Sequence, residues 1–528
     1  MKRTWLDKAV GYVSPKWEAS RLFTRAKTDY LANLGGFESG QSNARRSIKT
    51  WQRPTLDADS AINPDRQLLI NGSHALYRNN PMAAGSINTL VAHVVGTGLT
   101  MHSRIDAEVL GMSDEEADAW QQHTEREWRL FSETREIHLG RKLSFCSYLS
   151  MMVRNVALSG DMFTLLTFHK RPGSPYQLKL QEVDALRVSN PQFNFDSPTM
   201  RQGVERESYG APLAYHIQNT HPGSTLARVD DWRRIPAYRP DGLPNMLHHF
   251  RPLWPDQTRG MPWLSPVLDS LYGLGTLVKA ELDAAVVNSF LTVFIKSMQG
   301  DINFPNPTGT TLGTEELALG PAAVLGLAPG EDIAVVDPKR PNASLDAFFQ
   351  LFLRLIGSAL EIPHEVITKQ FQSSYSAARG AFLEAWKAFT TWRAWTIRSL
   401  AQPVYDMFLV EAVSLGRIMA PGFLTDPLLR KAWSEAEWVG PARGAIEENK
   451  EIEAAKGRVE LGVSTKEREA SQITGMTFRH IVRQRAKEQA MEREQGMEDE
   501  SEEKQGNPTQ SQRVPGREQD EEDEEGEP

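Results

Sequence analysis

The densest gathering of reactive side chains is KQFQSSYSAARGAFLEAW, residues 369–386, where Ser373, Ser374 and Ser376 stand beside Tyr375, Lys369 and Arg379. Side chains of these types could make a nucleophile with a cationic grip on phosphate. A catalytic serine, however, needs a base within hydrogen-bond reach and an oxyanion site, and it typically sits at a sharp strand-to-helix turn. No Gly-x-Ser-x-Gly pattern surrounds these serines, and runs of helical period lie on both sides. Serines just before such a run suit a helix N-cap. We read Lys369, Gln370, Gln372, Ser373 and Ser374 as a mobile polar loop without apolar anchors, suited to contact with something that slides past.

Other candidate chemistry fails on spacing. The chain has no Gly-Lys dipeptide, so no Walker loop cradles a triphosphate. VVGTGL supplies Gly96 and Gly98, but Met101 stands where a dinucleotide fingerprint needs its third glycine. PHEVIT begins like a metalloprotease helix, yet Thr368 replaces the second histidine after His364. His248 and His249 are adjacent, so on a strand they point to opposite faces. Asp57 and Asp59, and the group Asp114, Glu115, Glu116 and Asp118, read as exposed acids near helix starts. The single cysteine, Cys146, excludes a disulfide framework or a thiolate-rich zinc site and is expected to be a buried apolar thiol. The reading is therefore no enzyme, no cofactor and no metal.

The elements around the polar loop carry more information. At 528 residues, 40% apolar and 24% charged, the chain can build several cored domains. No apolar run reaches membrane-spanning length, and the basic N-terminus lacks a secretory pattern, so the protein reads as intracellular. The net charge of −9 is segregated. Residues 497–528 hold thirteen acids and three bases, whereas residues 1–53 hold eleven bases and four acids. The first composition predicts a solvated acidic tail, the second a basic arm.

Asn80 and Pro81 predict a cap and first turn for a second helix that breaks at Gly96 and Gly98. From Asp161 to about Phe250, MFTLLTFHK, YQLKLQEV, LRVSN and LAYHIQN predict short strands. Ser265 as cap, Pro266, and apolar residues from Leu268 to Val293 predict a helix of about thirty residues. A Pro- and Gly-rich insertion follows, then a helix stopped by Pro363. After the polar loop a helix of some forty residues is expected, kinked at Pro403 and ended at Gly416.

Four stretches then resemble, in order, the lambda-type portal proteins of tailed bacteriophages: LYRNNPMAAGSINTLVAHVVGTGL, FRPLWPDQTRGMPWLSPVL, EIPHEVITKQFQSSYSAARGAFLEAWKAF and WVGPARGAIEENKEIEAAKGRVELGVSTKERE. The resemblance spans roughly residues 60–470. It implies an α+β, portal-type subunit. Its parts would be a basic arm (1–53), an α/β wing (54–262), stem helix 1 (263–296), a clip (297–344) and stem helix 2 (345–362). A turn and tunnel loop (363–376), a long kinked helix joining wing and crown (377–440) and a helical crown (441–496) would complete it, with the disordered acidic tail (497–528) that composition predicts following them. The tail has no counterpart that the resemblance places.

The resemblance further implies a homo-oligomeric ring of about twelve copies at the unique capsid vertex. Double-stranded DNA would be packaged and ejected through it, and the terminase large subunit would dock on it, followed by head-completion and connector proteins. Major capsid and scaffold proteins would be neighbours, with host cytoplasm as the place of assembly and no membrane involved. A conduit must avoid tight multi-phosphate neutralisation, so the bore is expected to be mixed or acidic with sparse cationic rings. Lys369 would contribute one such ring, and Lys279 and Arg354 are further lumen candidates. Lys279 could instead pair with Asp283 one turn on, and Arg354 could pair across a subunit interface. The rivals are an enzyme fused to a scaffold and a monomeric DNA-binding adaptor.

Overall fold

The computed structural model describes residues 55–225, 231–289, 293–297, 331–335, 345–371, 374–443, 448–476 and 478–495. The basic arm, the acidic tail, most of the expected clip, and Gln372 and Ser373 lie outside the described residues. The described residues fall into two compact units, one holding residues 55–64 with 254–257 and the other the remaining described residues. In the first, a short helix Ala58–Ile62 buries Asp59, which corrects the expectation of an exposed acid there.

The second unit begins with α1 (Arg66–Asn79) and α2 (Pro81–Val94). Asn80 caps α2 as its residue type predicts, its Oδ1 accepting from the N–H of Met82 and Ala83. β1 (Thr100–Ser103) follows, then α3 (Asp114–Ser132) and α4 (Phe145–Ser159). Glu116 belongs to a capping box with Ser113 at the start of α3, so its carboxylate serves the helix terminus.

β2 (Asp161–Phe168) pairs antiparallel with β3 (Leu178–Val183) on one side and with β8 (Met246–Phe250) on the other. Between them β4 (Met200–Arg201), β5 (Val204–Arg206), β6 (Pro212–Gln218) and β7 (Trp232–Pro236) form a four-stranded antiparallel sheet. LRVSN forms no named strand: Asp184 accepts from Leu186 N–H and turns Ala185–Arg187 into a 3-10 helix, because a side-chain oxygen competes with the ladder for that donor.

The first expected stem helix is shorter than its pattern. Ser265 lies within a 3-10 turn, Ser265–Val267, with its hydroxyl buried and unpartnered among the described residues, and α5 runs Leu268–Ser289. Val293–Ser297 instead forms β9, paired with β10 (Glu331–Val335). The apolar periodicity continued past residue 289, but VFIKS combines β-branched and aromatic side chains that satisfy a strand equally well once a partner is supplied. α6 (Leu345–Ala359) ends four residues before Pro363, and α7 (His364–Thr368) is a single short turn of helix inside the expected loop region.

The long helix is α8 (Tyr375–Thr396), a π-helical stretch Ile397–Ala401, and α9 (Gln402–Ser414). Pro403 brings no N–H for the carbonyl four residues earlier, and the π stretch just before it absorbs that lost bond. Gly416 ends the rod in the left-handed region (φ 69°), as expected. Beyond it, the end of the span 377–440 that the resemblance gave to the wing-to-crown helix holds α10 (Pro427–Ser434) and β11 (Ala436–Val439), the latter paired with β1. The chain closes with α11 (Glu448–Glu460), α12 (Lys466–Thr474) and α13 (Phe478–Glu494).

One core joins α2, α3, α4, α9 and the β1–β11 pair. Trp128 is its hub: the rings of Phe145, Tyr405, Phe408 and Trp438 meet it edge-on at centroid distances of 5.2, 5.5, 5.3 and 5.8 Å. Edge-to-face pairing places the positive ring edge on the negative face, adding specificity to the area buried.

Candidate functional site

The polar loop is held at its base by hydrophobic contacts. α6 turns back on itself through Gly357, where a Cβ would meet the carbonyl oxygen of Ile362 at 2.6 Å, and through Glu361 in the left-handed region. Leu360, Ile362, Val366 and Ile367 are buried, so α7 is pinned to α2 and α8. These apolar anchors lie in the turn just before the polar loop that begins at Lys369. Lys369 ends α7 with φ 58°, its N–H donating to Glu365 O, and Gln370 N–H donates to the same oxygen. Lys369, Gln370, Phe371 and Ser374 are exposed, so beyond α7 the chain presents polar groups and one aromatic ring to solvent. Ser374 occupies the N-cap position of α8 but makes no side-chain cap bond.

Beneath the loop, His93 stacks on Phe389 at 4.6 Å. Burial lowers the His93 pKa, and the charges of Arg393 and Lys369 lower it further, so the imidazole stays neutral beside them. Arg393 closes the end of α2. Its guanidinium donates to the carbonyls of Val94, His93 and Pro441 and lies over the Trp386 ring. Burial brings its pKa down to about 10, which leaves it charged at neutral pH. A Cβ on Gly440 would meet Arg393 Nε at 2.6 Å, so glycine is required where the guanidinium passes.

Lys279 and Arg354 are both exposed, on α5 and α6. No ion pair joins Lys279 to Asp283, the alternative partner one turn on, among the described residues. Arg354 lines a groove of about 650 Å³ with Glu361, Glu384 and Lys387, which neither Lys279 nor Lys369 lines. Within one chain, then, the three candidate cations are not gathered into one site. The same two helices leave apolar side chains bare. Leu271, Leu274, Leu353 and Ile356 are buried at the base, whereas Val278, Leu282 and Val286 on α5 and Phe348, Leu351 and Leu355 on α6 are about half exposed or more, 48–63%. Contiguous apolar exposure of this kind marks an interaction surface.

Sequence reasoning missed the buried charge node. Asp161, wholly buried, accepts from Arg66 at 2.6 Å, from Arg259 Nε at 2.6 Å and Nη2 at 3.2 Å, from His248 at 3.2 Å and from Gly260 N–H at 3.2 Å. Burial alone would raise this carboxyl, but the charges of Arg259 and Arg66 outweigh it and hold the pKa well below the usual range. Arg259 also donates to the carbonyls of Val188, Ala185 and Gln202, tying the two sheets together. Gly160 and Gly260 approach so closely that a Cβ on Gly260 would lie 2.0 Å from Gly160 O. The available signal was an acid opening the otherwise apolar strand DMFTLLTF, since a buried charge needs partners.

His249, next along β8, joins a separate polar chain. Tyr148 Oη donates to Thr164 Oγ1, which lies 2.8 Å from His249 Nε2, while His249 Nδ1 lies 2.7 Å from Ser399 Oγ in the π stretch. The adjacent histidines thus have different partners. Burial, then His248, brings the His249 pKa down to about 3. Cys146 is only half-buried and donates to Thr97 O at 3.0 Å, which corrects the expectation of a buried apolar thiol. Among the described residues no group of three or more His, Cys, Asp or Glu is placed to hold a metal, and no helix is long and apolar enough to cross a membrane.

Comparison with known proteins gives this arrangement its family. The family model described as phage portal protein, lambda family, matches residues 44–393, and the chain belongs to that family. It is 27% identical over 492 residues to portal protein B of Escherichia phage lambda, covering 88% of this chain and 92% of the relative. It is 26% identical over 491 residues to the portal protein of Escherichia phage N15, with the same coverage of 88% and 92%. Among solved structures, a chain in the neck of an empty gene transfer agent particle aligns with a TM-score of 0.43 at 13% identity, covering 81% of this chain and 98% of that one. The protein therefore has a phage portal function on an α+β fold.

Proposed function

We propose that copies of this chain close into a ring of about twelve at one capsid vertex, using two different faces per subunit whose rotation returns to the start. The observation that carries this is the bare apolar face on α5 and α6, which a lone chain leaves in water. Packed against a neighbour, that face completes the hydrophobic burial that the sequence pattern demands. Double-stranded DNA passes through the bore. The loop Lys369, Gln370, Gln372, Ser373 and Ser374 faces it, with Lys279 and Arg354 as sparser cationic positions.

Each loop cation is multiplied by the symmetry but remains a single ring, so phosphates are met without the tight neutralisation that would stall passage. Contacts go to the backbone and read no bases. Force comes from a separate terminase motor docking on the segment 297–344, and connector proteins follow it. The chain is a structural component of the virion, put together in host cytoplasm beside capsid and scaffold proteins, and is not itself an enzyme.

Negative-stain imaging of the purified chain tests the central claim. Rings with cyclic symmetry are expected for the wild type, and Leu282→Glu with Leu355→Glu should leave folded monomers. A wild type that stays monomeric at every concentration and ionic strength would overturn it.

A further inference from the structure

Away from the loop, a cleft of about 740 Å³ opens between β1, the outward face of α3 and the first turns of α13. Five arginines line it. Two are already engaged: Arg104 by Glu437 and Glu467, and Arg479 by Asp118. Arg126 and Arg129 turn Nε to carbonyls of their own helix, Gln122 O and Glu125 O, and keep their terminal nitrogens without a carboxylate among the described residues. Arg483 likewise has no ion-pair partner among the described residues. On the acidic side, Glu467 is paired with Arg104 and Glu125 accepts from Ser103 N–H, which leaves Glu133 against three guanidinia that have no carboxylate partner among the described residues.

The chain itself carries a complement to this surplus. α13 ends at Glu494, and between Glu518 and Glu527 there are eight acids and no base. α13 is 17 residues long, so its far end lies only about 25 Å from its first turn. The stretch from Gly496 to Glu518 can span up to roughly 70 Å when extended, ample to return to the cleft. Tethering gives such a segment an effective concentration on the order of millimolar, so individually weak charge contacts suffice.

We propose that the acidic segment 497–528 occupies this cleft, its carboxylates pairing with Arg126, Arg129 and Arg483. It thereby screens these cations from phosphates, which would otherwise compete for the same guanidinia.

The test uses a full chain in which the eight acids between Glu518 and Glu527 are changed to their amides, so that its own segment no longer competes. A fluorescent peptide of residues 497–528 should bind this chain saturably, and about tenfold more weakly at 0.5 M than at 0.05 M salt. Binding should be about tenfold weaker to the wild-type full chain, whose cleft is filled, and about tenfold weaker after Arg126→Glu, Arg129→Glu and Arg483→Glu. The corresponding Arg→Lys triple should retain it, which separates charge from misfolding. Equal peptide binding by wild-type and amide chains overturns the proposal, as does unaltered binding by a charge-reversed chain with native melting behaviour. A random-sequence DNA duplex that binds the wild-type cleft as well as the amide chain's would assign the cleft to nucleic acid, and would overturn it too.

Discussion

The helix pair α5–α6 and the rod α8–α9 are built from the same kind of apolar stripe, but only the rod satisfies it within one chain. In α9, Val404, Tyr405, Phe408 and Ala412 are wholly buried, Tyr405 and Phe408 against Trp128. In α5 and α6 the stripe is covered only at its base and runs out into solvent. An amphipathic pattern therefore fixes that a face must be covered, and leaves open whether its own chain or another copy covers it.

Substitutions at matched positions give the largest contrast. Phe408→Ala should destabilise the chain by about 3–5 kcal/mol, read as the shift in denaturation midpoint, because it empties the aromatic core. Leu355→Ala should change the stability of the isolated chain by less than about 0.5 kcal/mol while weakening assembly, read by sedimentation. A large loss of monomer stability at Leu355 would erase the distinction between the two regions.

A loss of similar size is expected at the charge node. Asp161→Ala strands Arg66 and Arg259 in the interior, at a cost of about 3–5 kcal/mol. Because the Asp161 pKa is depressed, its stabilisation is present above the unfolded value near 4 and drains away as pH falls toward the folded value. Acid titration of stability should therefore be shallower in the variant than in the wild type.

Asp406 gives the opposite sign and a smaller effect. Burial pushes its pKa up to about 6, and Gln402 Nε2 donates to it at 2.8 Å. The folded state thus favours the protonated acid, and the penalty for ionising it grows as pH rises from about 4 to about 6. Asp406→Asn should stabilise the protein by about 1–3 kcal/mol at pH 7.5 and hardly at all below pH 4, read by thermal melts at both values. Smallest of all, Lys369→Ala should change stability by no more than a surface substitution does, about 0.5 kcal/mol or less as read by thermal melts, since the side chain is exposed and α7 is anchored by Val366 and Ile367.

Local chemistry announced itself plainly in the chain. Asn80 and Pro81 marked the start of α2, Pro403 the register change in the rod, and Gly416 its end, because each acts through its own backbone and immediate neighbours. The exposure of Lys369, Gln370 and Ser374 was readable in the same way from their polar types. The rest depended on residues far apart in sequence. Val293–Ser297 became a strand only because Glu331–Val335 reached it, and Asp161 found Arg66 and Arg259 from 95 and 98 residues away. Arg393 closed a helix 299 residues upstream through a gap left by Gly440. A residue's type sets which bonds it must make, whereas the identity of the partner is decided where packing brings distant segments together, and no local window contains that information.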